Sequence, residues 1–107
     1  MKLNDQPFAD IKNGTKTLEI RLYDEKRRTI EIGDKITFSN NGESITVTVI
    51  GLSRFAIFID LFSSLGGLSA GWPITDTPNK MADDMRKYYS DEEEQKYGVI
   101  GIHIKLT

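Results

Sequence analysis

Apolar and polar residues alternate along four stretches of this chain, and a helical spacing governs the segments between them. Leu18, Ile20 and Leu22 fall on one parity; Thr17, Glu19, Arg21 and Tyr23 fall on the other. Strand side chains point alternately to opposite faces. Thr15–Tyr23 therefore reads as a strand with Glu19 and Arg21 together on the face away from the aliphatic row. Lys16 stands at its start, after a glycine turn that can aim it to either side. Thr29–Phe38 alternates in the same way, with Gly33-Asp34 marking a turn or the start of a strand. Asn40-Asn41-Gly42 is the clearest hairpin signal, because Asn and Gly tolerate the positive φ of tight primed turns. Beyond it Ile45, Val47 and Val49 alternate with Thr46 and Thr48. The parity then shifts to Ile50 and Leu52 around Gly51, which predicts a bulge that bends the strand. Ile100, Ile102, Ile104 and Leu106 alternate with Gly101, His103 and Lys105 as a closing strand.

Between these stretches the spacing is helical. Pro7–Gly14 predicts a short helix, with Pro7 in its first turn, Phe8 and Ile11 on one side and Gly14 as a left-handed stop. Phe58, Leu61, Phe62 and Leu65 recur at helical spacing and end at Gly66-Gly67. Leu68–Asp76 is a loop carrying one large aromatic, Trp72. Thr77-Pro78 then opens a helix with Met81, Met85, Tyr88 and Tyr89 on one side. Ser90-Asp91-Glu92-Glu93 fits a capping box, serine followed three residues later by glutamate. The order is helix, several strands, a helical insertion and a final strand. Strands at both ends of the sequence can pair to close a small barrel. The expected class is α+β, a small β-barrel flanked by short helices, in a single domain over residues 1–107.

Composition adds exclusions. The 107 residues suffice for one core but not two. The longest apolar run, Phe55–Ile59, is stopped by Asp60 and is far too short to span a membrane. The N-terminus runs straight into polar sequence, which argues against a signal peptide and makes the cytoplasm the default location. No cysteine is present, so neither a disulfide framework nor a zinc–sulfur site is available. Residues 1–54 carry nine Lys/Arg against eight Asp/Glu, and residues 55–107 carry five against eight. Such a balance is not that of a protein that holds duplex nucleic acid by phosphate neutralisation alone. A local basic pocket fed by Lys16, Arg21, Lys26, Arg27 and Arg28 is compatible with it.

Candidate chemistry gathers around the glycine turn. Lys16 can serve as a nucleophile, a base, or a cationic clamp for a phosphate or carbonyl oxygen; it also reads as a solvated turn lysine. Glu19 and Arg21, two apart on one strand face, can form an ion pair that orients both groups for a ligand, or one that is purely structural. In a further reading Arg21 fixes Glu19, and Glu19 accepts from the exocyclic amine of cytosine or adenine. Tyr23 beside Lys26, Arg27 and Arg28 combines a stacking surface with phosphate-binding charge, although a solvated loop has the same composition. Trp72 reads equally as a stacking lid or as an aromatic tucked into the barrel mouth. His103 is the only histidine, which argues against a metal site. The acidic run Asp91–Glu94 suits helix capping and the helix dipole better than metal binding. No phosphate-binding loop, serine elbow or zinc spacing is present, and no cofactor is expected.

The pattern Gly14-x-Lys16-x-x-Glu19-x-Arg21 resembles that of the ASCH (activating signal cointegrator homology) domain. The likeness continues through Arg21–Arg27, Ile32-Gly33-Asp34 leading a strand that ends at Phe38, the aromatic helix Phe58–Phe62, and Tyr97–Ile102. It spans essentially the whole chain and is similar to the short, single-domain bacterial form. The resemblance implies a PUA-like β-barrel and an RNA- or nucleoside-binding function, with Lys16, Glu19, Arg21, Tyr23, Lys26, Arg27, Arg28 and Trp72 as candidate contacts. One compact subgroup hydrolyses N4-acylated cytidine with a lysine, a threonine three residues later and a glutamate from the insertion. Lys16 stands at that lysine position and Glu19 at that threonine position, so Lys16 and Glu19 are the catalytic candidates if the chain is an enzyme. No glutamate lies between Leu61 and Asp76 to match the third member. The resemblance extends to some other members that are ribonucleases, which makes RNA cleavage a further alternative.

Overall fold

A computed structural model describes residues 1–107. The four alternating stretches form one antiparallel sheet in the order β1-β4-β3-β2, where β1 is Leu18–Leu22, β2 Lys35–Asn40, β3 Glu43–Phe55 and β4 Val99–Leu106. Helix α1 (Asp5–Lys12) precedes the sheet. Helices α2 (Phe58–Leu65), α3 (Pro78–Asp84) and α4 (Asp91–Tyr97) form the insertion between β3 and β4. The result is an α+β fold with a curled antiparallel half-barrel, in the manner of a small PUA-like barrel.

Local chemistry sets the boundaries. The β2–β3 hairpin turns on Asn41 (φ 48°) and Gly42 (φ 83°), both in the left-handed region that a tight primed turn requires. The register of β3 against β4 shifts between Val49 and Gly51, which is the bulge that the change of parity predicts. Thr77 caps α3 by accepting from the Lys80 N–H, and Ser90 with Glu93 forms the capping box of α4.

Three expectations needed revision. Strand β1 starts at Leu18 rather than Thr15, because the Thr15 and Lys16 N–H groups both donate to Asp10 O at 3.0 Å and so extend the end of α1. The alternation of Ile30 and Ile32 does not make a strand. Arg27–Thr29 forms a 3-10 turn, Asp34 Oδ2 accepts from the Glu31 N–H at 2.8 Å, and Ile32 is left 67% exposed. Tyr88 does not share the side of Met81 and Met85, because α3 tightens into a 3-10 turn at Met85–Lys87, whereas Tyr89 packs against their core as expected. Tyr89 packs on Phe58, while Tyr88 is 60% exposed.

Hydrophobic burial occupies both faces of the sheet. On one, Leu18, Ile20, Leu22 and Val99 pack against Phe58, Leu61, Phe62, Met81 and Met85 of the insertion. On the other, Ile36, Phe38, Val47, Val49, Ile100, Ile102 and Ile104 pack against Phe8 and Ile11 of α1. Each of these larger side chains contributes about 1.5–3 kcal/mol, so the sheet is held from both faces. The chain ends pair as expected, β1 on β4, yet the hydrogen-bonded ring stops there and leaves β1 and β2 as edges. The first residues cover the edge of β2: Ser39 N–H donates to Met1 O at 2.8 Å and Leu3 N–H to Ser39 O at 3.1 Å. At β1 only the approach to the strand is held, where the Thr17 N–H donates to Ser69 O at 2.8 Å, and a cleft opens beside the strand itself.

Candidate functional site

The parity of β1 dictates what the cleft contains. With Leu18, Ile20 and Leu22 committed to one core, Glu19 and Arg21 must lie on the opposite face, and the Gly14 turn brings Lys16 alongside them. The Lys16 ammonium lies 3.3 Å from Glu19 Oε1, and the Arg21 guanidinium lies 3.1 Å from Glu19 Oε2. Lys16 Nζ also donates to Ala70 O at 3.0 Å, tying the strand to the loop of the insertion. Lys16 and Glu19 are each only 7% exposed at the side chain, and Arg21 18%. Two cations thus bracket one buried carboxylate.

This triad lines a cavity of about 410 Å³ between the N-terminal segment, β1 and the insertion. Its further walls include Ile20, Trp72 and Tyr89, with Asp10 and Lys2 nearer the N-terminal side. Three cations and two carboxylates therefore face it, a net charge of +1. Burial works against the Arg21 charge, but the Glu19 carboxylate and the Tyr89 phenol oxygen more than offset it, so its pKa stands above the ordinary arginine value. Arg21 keeps donors beyond the one given to Glu19, and Lys16 keeps one of its three. The cleft is donor-rich.

Trp72 is wall rather than lid. Its ring meets Phe62 edge-on at 5.1 Å, and its indole N–H donates to Asp84 Oδ2 at 3.0 Å. Tyr23, Lys26, Arg27 and Arg28 lie outside the cavity lining. Arg27 is bound to Asp24 at 3.0 Å, and its Nε is buried without a partner. The Tyr23 ring carries the guanidinium of Arg54 at 4.0 Å and that of Arg28 at 5.2 Å. Lys26 and Arg28 form no ion pair, so positive charge remains on this flank. His103 hydrogen-bonds Ser53 at 2.9 Å, away from the cleft. No group of three or more His, Asp or Glu side chains is placed to hold a metal ion.

The model of the ASCH domain family matches residues 1–107. The chain belongs to the ASCH domain family. Its fold is similar to that of the hypothetical protein PH0355, seen in a crystal structure: TM-score 0.88 and 34% identity over 99% of this chain and 95% of that one. It is also similar to the solution NMR structure of protein PF0455 from Pyrococcus furiosus, with TM-score 0.76 and 32% identity over 98% and 93% of the two chains. No curated protein matches the sequence significantly. In this ASCH domain the motif residues Lys16, Glu19 and Arg21 converge with Trp72. Tyr89, Asp84 and the Ala70 carbonyl were not legible beforehand, because each joins the site through a contact between segments far apart in the chain. The family suggests an RNA-related role in general.

Proposed function

We propose that this ASCH domain binds RNA or a nucleoside by taking one base into the cleft beside β1. The observation that carries this is the Lys16–Glu19–Arg21 triad, buried yet open on a cavity of about 410 Å³. A purely structural ion pair is balanced in charge and closed. Here two desolvated cations share one carboxylate, and their remaining donors suit the carbonyl or phosphate oxygens of an electron-rich ligand. The volume falls within the range of small-ligand sites, and Trp72 and Tyr89 offer aromatic surface for a base. Glu19 holds both cations in place. Lys26 and Arg28 outside the cleft suit the phosphates that flank a bound base.

Trp72 is the only tryptophan and lines the cavity, so its fluorescence reports occupancy. Titration with cytidine, adenosine and a short single-stranded RNA is expected to change it, with the RNA weakening as salt rises. Glu19→Gln and Arg21→Ala are expected to lose affinity at least tenfold, by about 1.4 kcal/mol or more. Unchanged affinity in both variants would sink the reading. Incubation with N4-acetylcytidine, followed by absorbance, separates binding from hydrolysis; turnover above background would make the cleft an active site instead.

A further inference from the structure

Strand β1 is an edge strand, and its register decides which main-chain groups face outward. Tyr23 N–H donates to Gly98 O, and Ile104 N–H donates to Thr17 O, each at 2.9 Å. Both bonds belong to the register that sets Leu18 opposite His103 and Ile20 opposite Gly101. Hydrogen-bonded and non-bonded pairs alternate along an antiparallel ladder. Glu19 and Arg21 therefore direct their N–H and C=O groups to β4, and Leu18, Ile20 and Leu22 direct theirs the other way. No strand lies on that side, and no loop bonds to the main chain of Ile20. Ile20 is 5% exposed, and of the three it alone lines the cleft. Buried main-chain donors and acceptors are almost always paired. Here one of each stands at the floor of a cavity, next to the charged triad.

We propose that the main chain of Ile20 reads the bound base: its C=O accepts from an exocyclic N–H, and its N–H donates to the neighbouring ring nitrogen. This rests on the reading that the cleft takes a base. Adenine and cytosine carry that donor beside that acceptor on their pairing edge, which single-strand recognition exposes. Glu19 already has a cation on each oxygen, whereas the Ile20 carbonyl has no partner at all, so we assign the reading of the amine to that carbonyl. The arrangement uses a sheet edge as peptide recognition does, with a planar base in place of the added strand. An extended peptide would also need the main chain of Leu18 and Leu22, and neither residue lines the cavity.

The test is titration of ¹⁵N-labelled protein with cytidine, adenosine and their N4,N4-dimethyl and N6,N6-dimethyl analogues. The Ile20 amide proton is expected to move downfield with cytidine or adenosine. The dimethyl analogues are expected to bind at least about tenfold more weakly, because they leave the Ile20 carbonyl buried and unpaired. Ile20→Pro removes this N–H together with part of the side chain's packing in the core, and an edge strand accepts proline where the N–H faces away from its neighbour. It is expected to lose about tenfold in affinity, while Ile20→Val binds like the parent. Should the proline variant not fold, the amide shift and the dimethyl comparison decide alone. Cytidine or adenosine binding that responds to Glu19→Gln but leaves the Ile20 amide unmoved overturns the Ile20 assignment and leaves the base in the cleft. Absence of any nucleoside response removes both. A peptide that moves the Leu18, Ile20 and Leu22 amides together, without a nucleoside response, also overturns the assignment.

Discussion

Two carboxylates of this ASCH domain are equally buried, Glu19 and Glu94 at 5% exposure each, yet they are built differently. Glu94 lies on α4, accepts the Phe58 N–H at the start of α2 at 2.6 Å, and pairs with Arg86. Its surroundings are one helix N-terminus, one arginine and the aromatic core around Phe58, with no cavity among them. Glu19 receives two cations and no main-chain donor, and it faces a cleft. The first arrangement is complete without a ligand. The second leaves positive charge and unused donors in a place from which water is largely removed, and that imbalance separates a candidate site from a brace.

The comparison breaks most sharply on removal of each carboxylate. Glu94→Ala leaves the Phe58 N–H buried and unpaired and leaves Arg86 with Asp91 as its one remaining carboxylate partner. Because Arg86 is partly exposed, the loss is expected at the lower end for a broken buried pair, about 3 kcal/mol in urea unfolding at neutral pH. Nucleoside binding by the fraction that remains folded should not change. A loss under 1 kcal/mol would mean that Glu94 is not the cap of α2. Glu19→Gln is expected to destabilise by about 2 kcal/mol, since the amide still accepts one hydrogen bond while the two cations lose their counter-charge. Inorganic phosphate should then raise the unfolding temperature of this variant more than that of the parent, because an anion in the cleft can now supply the counter-charge that Lys16 and Arg21 have lost. If phosphate stabilises both proteins equally, the surplus charge of the cleft is not functional.

How far the sequence carried these distinctions depends on the range of each contact. The Lys16–Glu19–Arg21 cluster was readable because its members lie within six residues, and strand parity alone puts Glu19 and Arg21 on one face. The hairpin at Asn41-Gly42, the bulge at Gly51 and the caps at Thr77 and Ser90 were readable for the same reason: each is local backbone chemistry. Glu94 shows where locality ends. Its place in the acidic run suited the dipole of its own helix, but its carboxylate caps α2, 36 residues away. Ile30 and Ile32 alternate like a strand, but a 3-10 turn and an Asp34 side-chain bond take that segment out of the sheet. The bare outer edge of β1 follows from strand order, which one-dimensional periodicity does not encode.

A third carboxylate sharpens the comparison with the smallest effect. Asp84 is only partly buried, and it shapes the cleft through Trp72 rather than by touching the cavity. Its pKa lies below the usual carboxylate range, first because Lys80 donates to it at 2.8 Å and then because the Trp72 indole N–H does so at 3.0 Å. A carboxyl depressed in the folded state contributes stability above its ordinary pKa and loses that contribution as pH falls through the lowered value. The anchoring of Trp72 should therefore be constant from neutral pH into the mildly acidic range and be released only below the ordinary carboxylate range. The Trp72 Nε1–H resonance, followed through an acid titration, checks this: it should move with the Asp84 carboxyl, and Asp84→Asn should flatten the profile. A resonance that titrates at the ordinary carboxylate pKa, or is unaffected by the substitution, would show that this wall of the cleft is held by the Phe62 contact alone.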